Sequence, residues 1–171
     1  TNTNSCLIDD FFKVIVLNPE NCSTSSPQYR IWRAALAHEI KARFSGAVSS
    51  KKRFGPIGPL SLPYFEMGAI TSLELFGLDE LILFAFYNAN RDRYRRVVDF
   101  GANLGLHTII LARCGFEVRS FEPDPVHLTQ LRCNLKLNQI ETDLIEAAVS
   151  LENTRAEFVR VKGNTTGSHL A

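Results

Sequence analysis

The sequence lacks any apolar run long enough to cross a bilayer. Its longest, Leu81 to Tyr87, falls far short of the ~20 residues a membrane-spanning helix requires, so no membrane is expected as a partner. It also lacks an excess of one charge. Nineteen lysines and arginines stand against 18 aspartates and glutamates, a net charge of +1, which leaves no global field to hold a polyanion through counterion release. Nucleic acid is therefore not an expected partner. Cysteine is sparse: Cys6, Cys22, Cys114 and Cys133 lie far apart and make no Cys-x-x-Cys pair. That spacing indicates neither a zinc site nor a disulfide framework and predicts reduced, buried thiols. No metal is expected. The start, Thr1 to Ser5, has neither the basic residues nor the apolar middle of a secretory signal, so the expected location is the cytoplasm. Glycine and proline, 10 and 7 in all, are scarce enough to exclude a disordered or fibrous chain.

What is present is the material of an ordinary folded domain: 171 residues, 45% of them hydrophobic and 22% charged. No internal repeat is visible. Residues 1–50 read as a helical N-terminal extension. Leu7 to Leu17 is apolar and stopped by Pro19, with Val14, Ile15 and Val16 favouring strand, so its state stays open between helix and strand. Tyr29, Trp32, Leu36 and Ile40 repeat at helical spacing, with Gly46 as the stop. Residues 51–63 read as a linker, since Gly55-Pro56-Ile57-Gly58-Pro59 disfavours regular structure. The basic triplet Lys51-Lys52-Arg53 reads as solvated loop.

From residue 64 to 171 the pattern changes. A buried helix is expected over Asp79 to Asn88, a strand over Arg96 to Phe100, and a helix from about Leu104 to Cys114, ended by Gly115. A strand over Phe116 to Phe121 follows. The next helix opens at Asp124-Pro125, carries Leu128, Leu131 and Leu135 on one face and ends at Asn138. Strands are then expected over Leu144 to Val149 and Ala156 to Val161. Such alternation predicts an α/β, Rossmann-like parallel sheet with right-handed crossovers.

In such sheets ligands sit at the carboxyl ends of the strands. The first junction reads Asp99-Phe100-Gly101-Ala102-Asn103-Leu104-Gly105. Gly101 permits a sharp exit from the strand, Gly105 a close approach of backbone, and the following helix start offers amides to an anionic group. A dinucleotide-binding Gly-x-Gly-x-x-Gly would need glycine at Asn103 and Leu106, which disfavours an NAD-dependent dehydrogenase. The second junction reads Phe121-Glu122-Pro123-Asp124. Glu122, 21 residues beyond Gly101, is placed to accept hydrogen bonds from both hydroxyls of a ribose. As a residue facing a cleft it is expected to add little to the core.

The stretch Val97 to Ser150, with Asp-Phe-Gly-Ala-Asn-Leu-Gly, Phe-Glu-Pro-Asp-Pro, Asn134, Asn138 and Ala-Ala-Val-Ser, resembles the FkbM family of S-adenosylmethionine-dependent methyltransferases. The resemblance is strong over about a third of the chain. It implies a class I methyltransferase fold, S-adenosylmethionine as cofactor, and a sugar or small-metabolite hydroxyl as methyl acceptor. By position, Asp99, Gly101, Ala102, Asn103 and Gly105 would hold the methionine end of the cofactor, and Glu122 its ribose. Asp124 would lie near the adenosine or serve only as a helix cap, and Ala147 and Ala148 would leave room for the adenine beside Glu146.

The general base is not legible. His107, Glu66 and His169 are candidates, His107 being equally a satisfied helix-start histidine. Tyr64, Phe65 and Trp32 are candidates for an acceptor pocket, or for core, and the tail from Gly163 to His169 for a loop that closes over the site. From Asp99 to Ala171 there are 73 residues, fewer than three strand-helix-strand units at ~30 residues each. The family's sheet is longer, so the sheet is expected to be incomplete at its C-terminal side. Two expectations follow: a fragment or self-associating chain with an open sheet edge, and, as the alternative function, a non-catalytic cofactor-binding or assembly module.

Overall fold

The computed structural model describes residues 6–17, 22–46 and 50–171. Pro19, read as the stop of the first segment, lies outside the described residues. Leu7–Leu17 is a helix, α1. Ile8, Phe11, Phe12 and Ile15 are buried, so a face repeating at three to four residues overrides the strand preference of its valines. Helix α2, Pro27–Phe44, starts where the Ser26 hydroxyl accepts the Tyr29 amide at 3.0 Å and buries Tyr29, Leu36, Ile40 and Phe44. Its cap, Ser45, is in the right-handed helical conformation.

Residues 51–63 were expected to lack regular structure, yet they hold β1, Lys52–Arg53, paired antiparallel with β2, Pro59–Leu60, around a 3₁₀ turn at Gly55–Ile57. Phe54, Ile57, Leu60 and Leu62 are buried. The Phe54 ring lies within 6.2 Å of those of Phe12, Phe44, Phe76 and Phe84. Gly55, at φ +55, sits against Phe12, where a Cβ would come within 2.5 Å of the ring. A glycine- and proline-rich run thus serves as the point where α1, α2 and the next helix, α3 (Leu78–Ala89), meet.

The parallel sheet has the order β3 (Arg96–Phe100), β4 (Glu117–Phe121), β5 (Asp143–Ile145), with Phe100, Phe121 and Ile145 in register. Between the strands run α4, Leu106–Arg113, and α5, Pro125–Asn138. Gly115 supplies a left-handed turn after α4, at φ +94. Strand β5 is shorter than expected. A two-residue strand, Phe158–Val159, pairs antiparallel with His169–Leu170 as a hairpin (β6 and β7) apart from the sheet. Val118 and Ser120 are buried on one face, whereas Arg96, Val98, Phe100, Glu117 and Arg119 point outward and are exposed.

Asn138, at the end of α5, clamps the front of the chain to this layer. Its Nδ2 donates to the Ser61 carbonyl at 2.6 Å, and its Oδ1 accepts the Ser61 amide and Arg113 Nη2, both at 3.0 Å. Arg113 Nη1 also donates to the Pro59 carbonyl. No described helix is long and apolar enough to cross a membrane. The thiols divide: Cys6 and Cys114 are buried, Cys22 is half-buried and Cys133 exposed, because Cys133 falls on the outer face of α5.

Candidate functional site

The parallel register brings the ends of β3, β4 and β5 to one side, and with them the two junction loops and the segment after Ile145. In the first loop Gly101 and Asn103 take left-handed conformations, φ 75 and φ 52. A Cβ at Gly101 would meet nothing within 4 Å, so the space above it is open. Gly105, at φ 84, is different: its close approach is to α5, where a Cβ would come within 3.0 Å of Leu131 Cγ. Asn134 Nδ2 donates to the Leu104 carbonyl at 2.8 Å and fixes the same loop from α5.

The loop amides bind the protein itself. Gly101 and Ala102 both donate to the Phe121 carbonyl at 2.9 Å, and Asn103 donates to Glu122 Oε2 at 2.7 Å. The other Glu122 oxygen accepts the Asp124 amide at 2.8 Å. Glu122 is only 5% exposed, so this carboxylate ties the two junction loops into one rim. The Asn103 side-chain oxygen is buried without a partner among the described residues, an acceptor left over at the centre of that rim.

Asp99 lies beneath the rim, where its Oδ2 accepts the Thr108 hydroxyl at 2.6 Å; Thr108 in turn lies 2.9 Å from Ser120 Oγ. Asp124 is 1% exposed. It caps α5 by accepting the Val126 amide and pairs with Arg160 at 2.9 Å, so both of its oxygens are occupied. Ala147 and Ala148 line a cavity of about 410 Å³ with Pro123, Glu146, Phe158 and Leu170. Glu146 also pairs with Arg132. This cavity adjoins the second loop through Pro123. Comparisons with family models, curated proteins and solved structures match nothing to this chain.

His107 has both ring nitrogens engaged, Nε2 with Glu80 at 2.8 Å and Nδ1 with the Tyr87 hydroxyl at 3.1 Å. A carboxylate cannot donate, so Nε2 is the donor to Glu80. Burial, followed by the charges of Asp99 and Glu80, holds the Tyr87 hydroxyl above the usual phenol range. Of the other candidates, Glu66 is exposed, His169 Nδ1 meets only the Gly167 carbonyl, and Trp32 packs edge-on against Phe11 at 5.5 Å. Phe65 and Tyr64 are half-buried.

Sequence reasoning missed the buried polar group beside the second loop. His127, one turn into α5, directs Nε2 at Thr165 Oγ1, 2.9 Å away, and Thr165 donates to the Met67 carbonyl at 3.2 Å. Burial pushes His127 below its ordinary value, and Arg160 adds to this, while Asp124 and Glu122 oppose it. The tail is held here, with Ala69 donating to Gly163 at 2.6 Å and Thr165 to Met67. The Thr-Thr-Gly run carried no periodic signal that could have revealed this contact.

Proposed function

We propose that the chain binds S-adenosylmethionine as part of a methyltransferase acting on a hydroxyl of a sugar or small metabolite. The observation that carries this reading is the joined rim: two loops at neighbouring parallel strand ends, tied through Glu122, beside a cavity walled by Ala147 and Ala148. The residues present fit the group. Small side chains leave room for a flat base, and the orphaned Asn103 oxygen offers an acceptor to an ammonium. When bound, the cofactor supplies a methyl group already activated by a sulfonium, so orientation does much of the catalytic work.

The chain's own residues would divide the task. Ala147, Ala148 and Pro123 would enclose the base, Asn103 and Asp99 would face the cationic end, and Glu122 would hold the loops in place and present its remaining lone pairs to a ribose. A cytoplasmic location is part of the same proposal. One observation favours the second reading, a binding or assembly module without catalysis: both ring nitrogens of His107 are engaged within the protein, by Glu80 and by the Tyr87 hydroxyl. Calorimetry with S-adenosylmethionine, its demethylated product and NAD tests the proposal. Heat from the first two and none from NAD is the expected result; tighter binding of NAD overturns it, and heat from none of them leaves the assembly module.

A further inference from the structure

The hairpin of β6 and β7 supplies one wall of the cavity beside the second loop, through Phe158 and Leu170. The turn between its strands holds it to the rest of the molecule. On one side that turn lies along residues 67–69: the Thr165 amide donates to the Met67 carbonyl at 3.1 Å, and the Ala69 amide to the Gly163 carbonyl at 2.6 Å. The two backbones are so close that a Cβ on Gly68 would come within 2.4 Å of the Gly163 oxygen. On the other side the turn meets α5, where the Thr165 hydroxyl lies 2.9 Å from His127 Nε2 and donates to the Met67 carbonyl at 3.2 Å. A hydroxyl has one proton to give, so both contacts are made at once only if Nε2 donates.

We propose that His127 is a pH-sensitive latch, whose protonation releases the turn at residues 163–168 and with it the hairpin wall of the cavity, while the parallel sheet stays folded. His127 is 3% exposed, and a charged ring is costly in such a place unless a carboxylate is free to pair with it. The carboxylates near it are already engaged: Asp124 with Arg160 and the Val126 amide, Glu122 with the amides of Asn103 and Asp124. Glu66, beside Met67, is exposed. Burial, helped by Arg160 and opposed by Asp124 and Glu122, therefore keeps the latched ring below its ordinary value. Histidines open to water titrate at about 6.5, so the latch is closed above that pH and opens progressively below it. Its meaning as regulation of the cofactor site rests on the proposed function; the latch itself does not.

Amide hydrogen exchange of the whole chain without ligand, followed by nuclear magnetic resonance at about pH 7.5 and about pH 5 and corrected for the intrinsic effect of pH, tests this. The Ala69 and Thr165 amides are expected to lose protection at the lower pH, while those of Ile109 and Leu131, in α4 and α5, keep theirs. His127→Gln keeps a donor in the place of Nε2 and cannot titrate, so its Ala69 and Thr165 amides are expected to stay protected at both pH values. Thr165→Val removes the hydroxyl at nearly constant shape and is expected to show the loss already at the higher pH. Equal protection of Ala69 and Thr165 at the two pH values in the unsubstituted protein overturns the proposal. So does a loss shared by Ile109 and Leu131, which is unfolding of the domain, or a loss that persists in folded His127→Gln. Should His127→Gln not fold, Thr165→Val decides: unchanged protection at the higher pH overturns the latch. Calorimetry with S-adenosylmethionine reports on the site and exchange on the latch, so either can fail alone.

Discussion

Glu122 works on two sides of one rim. Its position at a strand end was legible in the sequence, because a strand ending in Phe121 is followed at once by an acid, a proline and a capping aspartate. Its burial was not, since the destination of the Asn103 amide depends on how two loops meet. A cleft carboxylate was expected to leave stability untouched; one that accepts two buried amides does not. Glu122→Gln keeps the shape but turns a donor toward one amide, and bonds to a charged acceptor are worth about 1.5–3 kcal/mol. At about 2–4 °C per kcal/mol for a chain of this size, the melting temperature should fall by about 3–12 °C. Under the proposed function, S-adenosylmethionine affinity should fall about ten- to a hundredfold. An unaltered melting temperature in differential scanning calorimetry would refute the tie between the loops. His127 carries a pH dependence. Its folded form binds a proton less readily than the unfolded chain, whose histidines titrate at about 6.5, so this contribution is intact above that pH and is lost as the pH falls below it. His127→Asn should flatten the decline in melting temperature between about pH 6.5 and 5. Equal slopes in the two proteins would count against the assignment.

At the scale of elements, the alternation of strand and helix from Arg96 to Asn138 was legible because Gly115 stops α4, Asp124 caps α5, and Leu128, Leu131 and Leu135 repeat at helical spacing along it. The N-terminal part was less so. A run such as Leu7 to Leu17, apolar and β-branched, is decided by what it packs on, here Trp32 and Phe54 through Phe11 and Phe12. Residues 51–63 misled for the opposite reason: glycines and prolines that forbid long elements still allow short ones, and Gly55 is needed where Phe12 leaves no room for a Cβ. The resemblance drew on Asn134 and Asn138, and both prove to be fasteners of α5, one to the first loop and one to Ser61. Asn138→Ala strands the buried Ser61 amide and carbonyl together. Each buried group left without a partner costs about 1–3 kcal/mol, so the variant should lose about 2–6 kcal/mol in urea unfolding. Asn138→Asp keeps the acceptor but turns a carboxylate oxygen on the Ser61 and Asn134 carbonyls, so it should lose at least as much. A loss below about 0.5 kcal/mol for the alanine variant, the range of ordinary surface changes, would show the clamp to be energetically idle.

Over the whole molecule, one set of buried side chains runs from Cys6 to Leu135 without a break. The front and rear of the chain should therefore unfold together. Trp32, the sole tryptophan, reports on the front, and circular dichroism on every helix. In urea the two signals should give coincident midpoints, as a two-state domain does; a tryptophan transition that precedes the helical one would place a cooperative boundary near residues 51–63. The same continuity sets a timetable for synthesis. Ser61 is bonded to a residue 77 positions later. At about 5–20 residues per second, a ribosome takes about 4–15 s to supply it. For that interval Leu60 and Leu62, buried in the finished protein, ride on a nascent chain whose core lacks its later side chains. The first sixty residues therefore emerge as a substrate for chaperones before they become part of a core.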